Sequence, residues 1–300
     1  MIDYPSYITC PEKSLQRTAL ELVSLLEDCT VCPHHCHVNR LKGELGYCHA
    51  GWHAEISGYG PHSGEESPLV GRYGSGTIFF SHCNMGCVYC QNWDTSHSQG
   101  EQVSPEELAD IMLDLQSQGC HNINLVSPSH YVPQIIAALV SAANRGLRIP
   151  LVYNSGGYDE KAVLEKLNGI IDIYMPDFKY ADPTVGKKLS CIDAYTDIAK
   201  TAIKEMHRQV GDLVVGDKGI ACHGLIIRHL VLPGNLAATD EIMRFIAQEI
   251  SPYSYINIMD QYYPEFKAGS YPGLNRPISR SEYQAALTAA KKASPHFRLA

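Results

Sequence analysis

An α/β fold made of six successive β/α units is what this sequence predicts, on three observations. Short apolar runs recur at TIFF (77–80), INLV (123–126), IPLVYN (149–154), IDIYMPDF (171–178), LIIRHLVL (225–232) and YINIM (255–259). Helical patterns fill the intervals, and strands alternating with helices make parallel sheets. A chain of 300 residues, 45% of them hydrophobic, can bury a core of that size. Six strands are two short of a closed eight-stranded barrel, so an open partial barrel and a doubly wound sheet both satisfy the pattern. Either places its chemistry at the C-terminal strand ends.

The helices follow in order. Residues 14–27 (SLQRTALELVSLLE) bring Leu15, Leu22, Leu25 and Leu26 near one face. The clearest helix is 104–119, where Ser104 caps, Pro105 opens the first turn and Glu107 completes a capping box. Leu108, Ile111, Met112 and Leu115 then recur at helical spacing, and Gly119 ends the run. Residues 133–145, 159–168, 193–210 and 239–250 fill the other intervals, and Ser279 with Glu282 caps a last helix. By contrast, 28–75 is rich in Cys, His, Gly and Pro and shows no sustained periodicity. A loop that long is held by something other than a core, and a metal is the natural candidate. Within it Glu65 and Glu66 read as part of a solvated loop, with contact to substrate or support of the site as the alternative. The chain thus divides into an N-terminal helix and Cys-rich extension (1–70), a β/α body (71–275) and a C-terminal helix (276–300).

The formal net charge is −8 and the basic residues are scattered, which argues against general nucleic-acid binding. No apolar run approaches the ~18–20 residues that span a bilayer, and no secretory leader is visible, so a cytoplasmic protein is expected. Seven of eleven cysteines fall in two clusters, 29–48 and 83–90, and clustered thiols read as metal ligands. Cys10, Cys120, Cys191 and Cys222 are isolated and read as small buried hydrophobes.

Directly after the first strand comes HCNMGCVYCQNW (82–93), with Cys83, Cys87 and Cys90 at C-x3-C-x2-C spacing. One compact loop can bring three thiolates to one face of a cubane. A structural [4Fe–4S] cluster takes four cysteines; three leave one iron open, as catalysis requires. The competing reading is zinc completed by His82 or His97, although structural zinc prefers paired knuckles or more distant Cys/His sets.

This loop, with an aromatic residue (Tyr89) before its last cysteine, resembles the radical S-adenosylmethionine (SAM) superfamily signature. GSGTIFFSHCNMGCVYCQN (74–92), INLVSPSHY (123–131), NSGGYD (154–159), DIYMPDFKY (172–180) and IIRHLVLPG (226–234) resemble the pyruvate formate-lyase activating-enzyme-like proteins of the PflX group. The resemblance covers most of 28–275 and implies a partial (β/α)6 TIM-like barrel of the radical SAM type. It implies that a [4Fe–4S] cluster on Cys83, Cys87 and Cys90 binds SAM through its amino and carboxylate groups. Reductive cleavage then yields a 5′-deoxyadenosyl radical that abstracts hydrogen from a substrate. By the same resemblance Tyr89 lies near adenine, and Asn154 and Ser155 face the ribose or methionine part. Asp177, Lys179 and Arg228 end or line later strands, and Leu232 with Pro233 packs on adenine. The superfamily's Gly-Gly-Glu after the second strand is replaced by Ser127-Pro128-Ser129-His130, so Ser127, Ser129 or a backbone carbonyl takes over its role. His130 faces substrate or is a satisfied polar core residue.

CTVCPHHCHVNRLKGELGYC (29–48) supplies a full set in Cys29, Cys32, Cys36 and Cys48. Three cysteines in eight residues with one remote favour an auxiliary [4Fe–4S] cluster over zinc, with His34, His35, His37 and His49 as alternative ligands. The expected partners are SAM, an electron donor such as flavodoxin or ferredoxin and, for an activase of a glycyl-radical enzyme, a separate protein substrate. The reading from another class is a non-catalytic Fe–S electron carrier or scaffold, against which stand SAM-site candidates on several strands.

Overall fold

The computed structural model describes residues 5–300. Helices α1 (Ser6–Thr9) and α2 (Glu12–Ser24) lead into the Cys-rich segment, which ends at β1 (Ala54–His62). A short helix α3 (Ser67–Val70) precedes β2 (Ser75–Phe80), and α4 (Trp93–His97) and β3 (Glu101–Val103) follow the three-cysteine loop. The β/α alternation then runs α5 (Pro105–Ser117), β4 (Ile123–Val126), α6 (Val132–Asn144), β5 (Leu151–Ser155), α7 (Lys161–Lys166) and β6 (Ile173–Pro176). Next come α8 (Pro183–Ser190), α9 (Tyr195–Val210), β7 (Val214–Val215), β8 (Ala221–Leu230) and α10 (Thr239–Phe245). Strand β9 (Tyr255–Met259), helix α11 (Arg280–Ala293) and β10 (Arg298–Leu299) complete the chain.

The six expected runs are β2, β4, β5, β6, β8 and β9, adjacent in that order and parallel throughout. Both predicted capping boxes are present, at Ser104–Glu107 and Ser279–Glu282. The segment 28–75 departs from the loop expected there. Strand β1 pairs antiparallel with β2 from Ile56–Phe80 to His62–Ser75. Only its first residues are buried in succession, and Gly58, Gly60 and Pro61 break any alternation. Pro61 is tolerated because β3 covers β1 only over Ala54–Ile56, leaving the rest an edge strand. Helix α8 was also not anticipated; Asp182 caps it by accepting from Thr184 N.

Alternation along the strands sorts the core into two layers. Ile78, Ile123, Leu125, Tyr153, Leu225, Ile227 and Ile256 face the helices in the main apolar cluster. Val152, Ile173, Met175, Ile226 and Tyr255 face the barrel axis, where Leu69 of α3 joins them. Asn122 ties that plug down by donating to Leu69 O at 2.9 Å. The far end stays open, since the inward residues Phe79, Val126, Arg228, Asn257 and Met259 are only half-buried.

The Cys-rich segment is fastened near the C-terminal strand ends. Arg40, 1% exposed, donates to Gly51 O and to His130 O, binding that segment to the β4–α6 turn. A buried guanidinium satisfied by carbonyls is a strong geometric clamp. His34 meets Asn84 O at 2.8 Å and so reaches the three-cysteine loop itself.

Candidate active site

The loop after β2 crosses the barrel mouth. Gly86 N and Val88 N donate to Ser190 O and Leu189 O, seating the loop on the end of α8. Cys87 is buried, and Cys83 and Cys90 are half-buried. Burial pushes the Cys83 thiol up to about 12, with Cys87 adding to the rise. Burial likewise pushes Cys87 up to about 11, opposed by the nearby Lys179 ammonium. Such thiols stay protonated at neutral pH unless a cationic centre takes them as thiolates. Hydroxyls stand against two sulfurs: Ser190 Oγ is 3.0 Å from Cys87 Sγ, and Ser96 Oγ is 3.4 Å from Cys90 Sγ. Ser190 Oγ also meets the Tyr180 hydroxyl at 2.8 Å, and that hydroxyl bonds to Tyr89. Tyr89 is thus a buried member of an aromatic cluster with Tyr180 and Tyr262 behind the loop.

Beside the loop, an ion-pair network ends three strands. Asp177 accepts from Arg228 Nε at 2.9 Å and from Lys179 Nζ at 2.6 Å. Arg228 Nη2 donates to Asn154 Oδ1 at 2.8 Å. Burial alone would raise the Asp177 carboxyl, but Arg228 and Lys179 outweigh it and hold the group below its ordinary value. Burial disfavours the Lys179 charge, and Asp177 more than restores it. The side chains of Asp177, Lys179 and Arg228 keep 16–19% exposure, so a space at the barrel mouth reaches them.

Adjacent residues face opposite ways, so Ser155 does not join this network. It donates to Asp159 at 2.6 Å, as do Ser129 at 2.6 Å and the Tyr153 hydroxyl at 2.9 Å. That buried knot fixes the turn after β4 against the end of β5. Ser127 remains half-buried in the left-handed region at φ 58, its N–H donating to Asn154 O. His130 is buried, with Nε2 on Ser81 O, and burial lowers it to about 3, so it is neutral. Leu232 lines a cavity of about 270 Å³ with Thr239, Glu282 and Ala286.

The second cysteine set forms a tight reversal in which Cys29 N donates to Val38 O and His37 N to Cys29 O. Burial raises the Cys32 thiol, and Cys48, Cys29 and Cys36 add to the rise, so all four lie close together. Gly46 is the cradle for Cys36, because a Cβ there would stand 2.7 Å from its Sγ. His34, His35 and His37 are engaged by Asn84 O, Glu160 and Asp28. A cleft of about 930 Å³ is lined by Cys48 and Tyr47 from the first set's segment and by Cys83 and Met85 from the three-cysteine loop. His82, offered above as a zinc ligand, instead meets Glu55 at 3.0 Å in this cleft. His97 meets Ser96 Oγ and Trp93 O.

Among the described residues no three His, Cys, Asp or Glu side chains close to the spacing of a single metal ion. A cubane asks something else, because each thiolate binds a separate iron at its own corner. Two residues at the mouth carried no sequence signal: Ser190 and Arg40. Glu66 corrects the solvated-loop expectation, being 7% exposed, with Asn257 Nδ2 donating to its Oε1 at 3.1 Å. Glu65 is also largely covered.

A sequence model described as the radical SAM superfamily matches residues 77–246. The uncharacterized protein MJ0674 of Methanocaldococcus jannaschii is 34% identical over 281 residues, covering 90% of this chain and 76% of that one. MJ0808 of the same organism is 26% identical over 160 residues, 46% of each chain. Among solved structures, the [FeFe]-hydrogenase maturase HydG superposes with a TM-score of 0.50 and 13% identity over 73% of this chain. This chain spans 49% of that HydG chain, so the likeness speaks to fold alone. A domain of pyruvate-formate lyase-activating enzyme from Bacteroides vulgatus gives a TM-score of 0.37 at 14% identity, over 65% of this chain and 91% of that one. With the matched span running from β2 through α10 and holding the three-cysteine loop, the chain belongs to the radical SAM superfamily.

Proposed function

We propose that Cys83, Cys87 and Cys90 hold the [4Fe–4S] cluster and that SAM lies between it and the network of Asn154, Asp177, Lys179 and Arg228. Membership of the superfamily implies the cluster, SAM and radical enzyme chemistry. The observation that carries the residue assignment is the placement of all three thiols on one loop across the barrel mouth, beside the Asp177 network. When bound, the cluster supplies the electron that splits SAM into methionine and a 5′-deoxyadenosyl radical, which takes a hydrogen atom from the substrate. Lys179 and Arg228 are aligned by Asp177 to receive the SAM carboxylate. Ser127 and the carbonyls beside it stand where Gly-Gly-Glu would receive the ammonium. Tyr89 supports the loop from behind, and neutral His130 anchors Arg40. Anaerobic reconstitution followed by dithionite and SAM tests this: 5′-deoxyadenosine should accumulate, and its absence with an intact cluster spectrum would refute the proposal.

Ser190 acts on the cluster through Cys87. A hydroxyl donated to a thiolate stabilises the reduced state, so Ser190→Ala should lower the midpoint potential by on the order of tens of millivolts. Potentiometric EPR reads this directly, and an unchanged potential removes Ser190 from that role.

Cys29, Cys32, Cys36 and Cys48 hold a second centre, for which an auxiliary [4Fe–4S] cluster is preferred to zinc. The crowding of three thiols with one remote supports this, as does the cleft lined by both Cys48 and Cys83. Gly46→Ala should displace the Cys36 sulfur and cut metal occupancy at this centre severalfold, read by metal analysis against the retained [4Fe–4S] signal of the other. A flavodoxin or ferredoxin as reductant, and a reducing compartment, fit a chain whose eleven cysteines are all free. Activation of a glycyl-radical partner rests on the sequence phrases at 74–92 and 226–234.

A further inference from the structure

We infer that Glu65, Glu66 and Asn124 form, at the floor of the barrel, a subsite for a substrate ending in a protonated primary amine. The inference rests on the radical reading of the mouth above, and it names the substrate end that this mouth would act upon.

The position is built rather than incidental. The sheet stays open, with β10 beyond β9 at one edge and β1 and β3 beyond β2 at the other, and the Glu65–Glu66 turn between β1 and β2 is joined to β9 by Asn257. Asn124 pairs in register with Thr77 and Val152, and Val152 belongs to the inward-facing layer. Asn124 is fully buried; its amide leans on the Glu65 carboxylate, while neither its Oδ1 nor Glu66 Oε2 has a hydrogen-bond partner. A buried acceptor without a partner costs about 1–3 kcal/mol, so two of them in the barrel interior mark a place that a ligand's donor completes.

Charge and donor count specify the ligand. Asp177 is held by Lys179 and Arg228, and Glu65 has His62 beside it, so Glu66 is the carboxylate with no cation at hydrogen-bond distance. Arg228 lies within the field of both glutamates, but its hydrogen bonds go to Asp177 and Asn154 rather than to either of them. The short contact of Glu65 is with His62 at the rim, 3.2 Å away. Glu66 is left with an amide donor alone. An ammonium donates three hydrogens and accepts none, matching Glu66 Oε2 and Asn124 Oδ1, whereas a carboxylate ligand would meet two like charges. Phe79, Arg228, Asn257 and Met259, all half-buried, are the inward residues between this floor and the mouth.

The test uses the cluster-reconstituted, SAM-bound protein and saturation-transfer NMR, with n-butylamine as probe and butyrate as its anionic counterpart. Butylammonium should show transfer and butyrate none. Glu66→Gln should weaken amine binding about tenfold or more while SAM affinity holds. Asn124→Leu should abolish amine binding yet leave the ligand-free protein at least as stable, because it removes a buried acceptor with no partner; an asparagine with a purely structural role would instead lose stability. Equal transfer to both probes, or a loss of SAM affinity in Glu66→Gln as large as the loss for amine, overturns the inference. Binding is read without turnover, so a wild-type protein that forms no 5′-deoxyadenosine refutes the radical reading separately.

Discussion

Cys87→Ala should reduce 5′-deoxyadenosine formation to background while leaving the metal of the N-terminal centre in place. Cys87 is the central and most buried thiol of its loop, and Ser190 hydrogen-bonds to it. Without it two thiolates remain, too few to hold a cubane against exchange with solvent. About four irons per chain should be lost. The N-terminal cysteines are held by their own reversal and by Arg40 and His34, none of which depends on the Cys87 side chain. Alanine in that buried position removes only one sulfur, so the circular-dichroism spectrum should not change. Metal analysis of the same variant separates the two centres. Residual iron supports the auxiliary cluster, and one zinc per chain refutes it. Persistent SAM cleavage in Cys87→Ala would remove the loop from the chemistry altogether.

The sequence disclosed whatever has strong periodicity or unusual donor spacing. All six barrel strands and both capping boxes were legible because alternating runs and Ser-x-x-Glu are local signals. The cysteine loop was legible because C-x3-C-x2-C is rare by chance. Strand β1 was hidden, since an edge strand with Gly58, Gly60 and Pro61 has no alternation to read. Tertiary facts were hidden for a different reason. Ser155 and Asn154 are neighbours in sequence, and only the pleat decides that Asn154 meets Arg228 while Ser155 turns to Asp159. Glu65 and Glu66 resemble any charged loop pair until α3 plugs the barrel and turns them inward. Ser190 reaches Cys87 across 103 residues, a separation no motif spans.

Asp177→Ala should cost about 3–5 kcal/mol, the usual penalty for stripping the partner from buried charge. It leaves Lys179 and Arg228 facing each other in the barrel mouth with no shared anion. The lower end is expected, because Glu65 and Glu66 still lie within the field of Arg228. Asp177→Asn keeps the volume and an acceptor for Arg228 and should cost less. SAM affinity should fall further in the alanine variant than in the asparagine one, since only alanine frees both cations to move. The pH dependence has a definite sign. The folded-state pKa of Asp177 is depressed, so its contribution is fully present above the ordinary carboxylate value near ~3.9 and is lost only as pH falls through the lower folded value. Urea unfolding of wild type and Asp177→Ala should therefore differ by a constant amount between pH 7 and pH 4.5. A gap that closes before pH 5 would mean that burial, not Arg228, governs Asp177, and the network could not then present two fixed cations to a carboxylate.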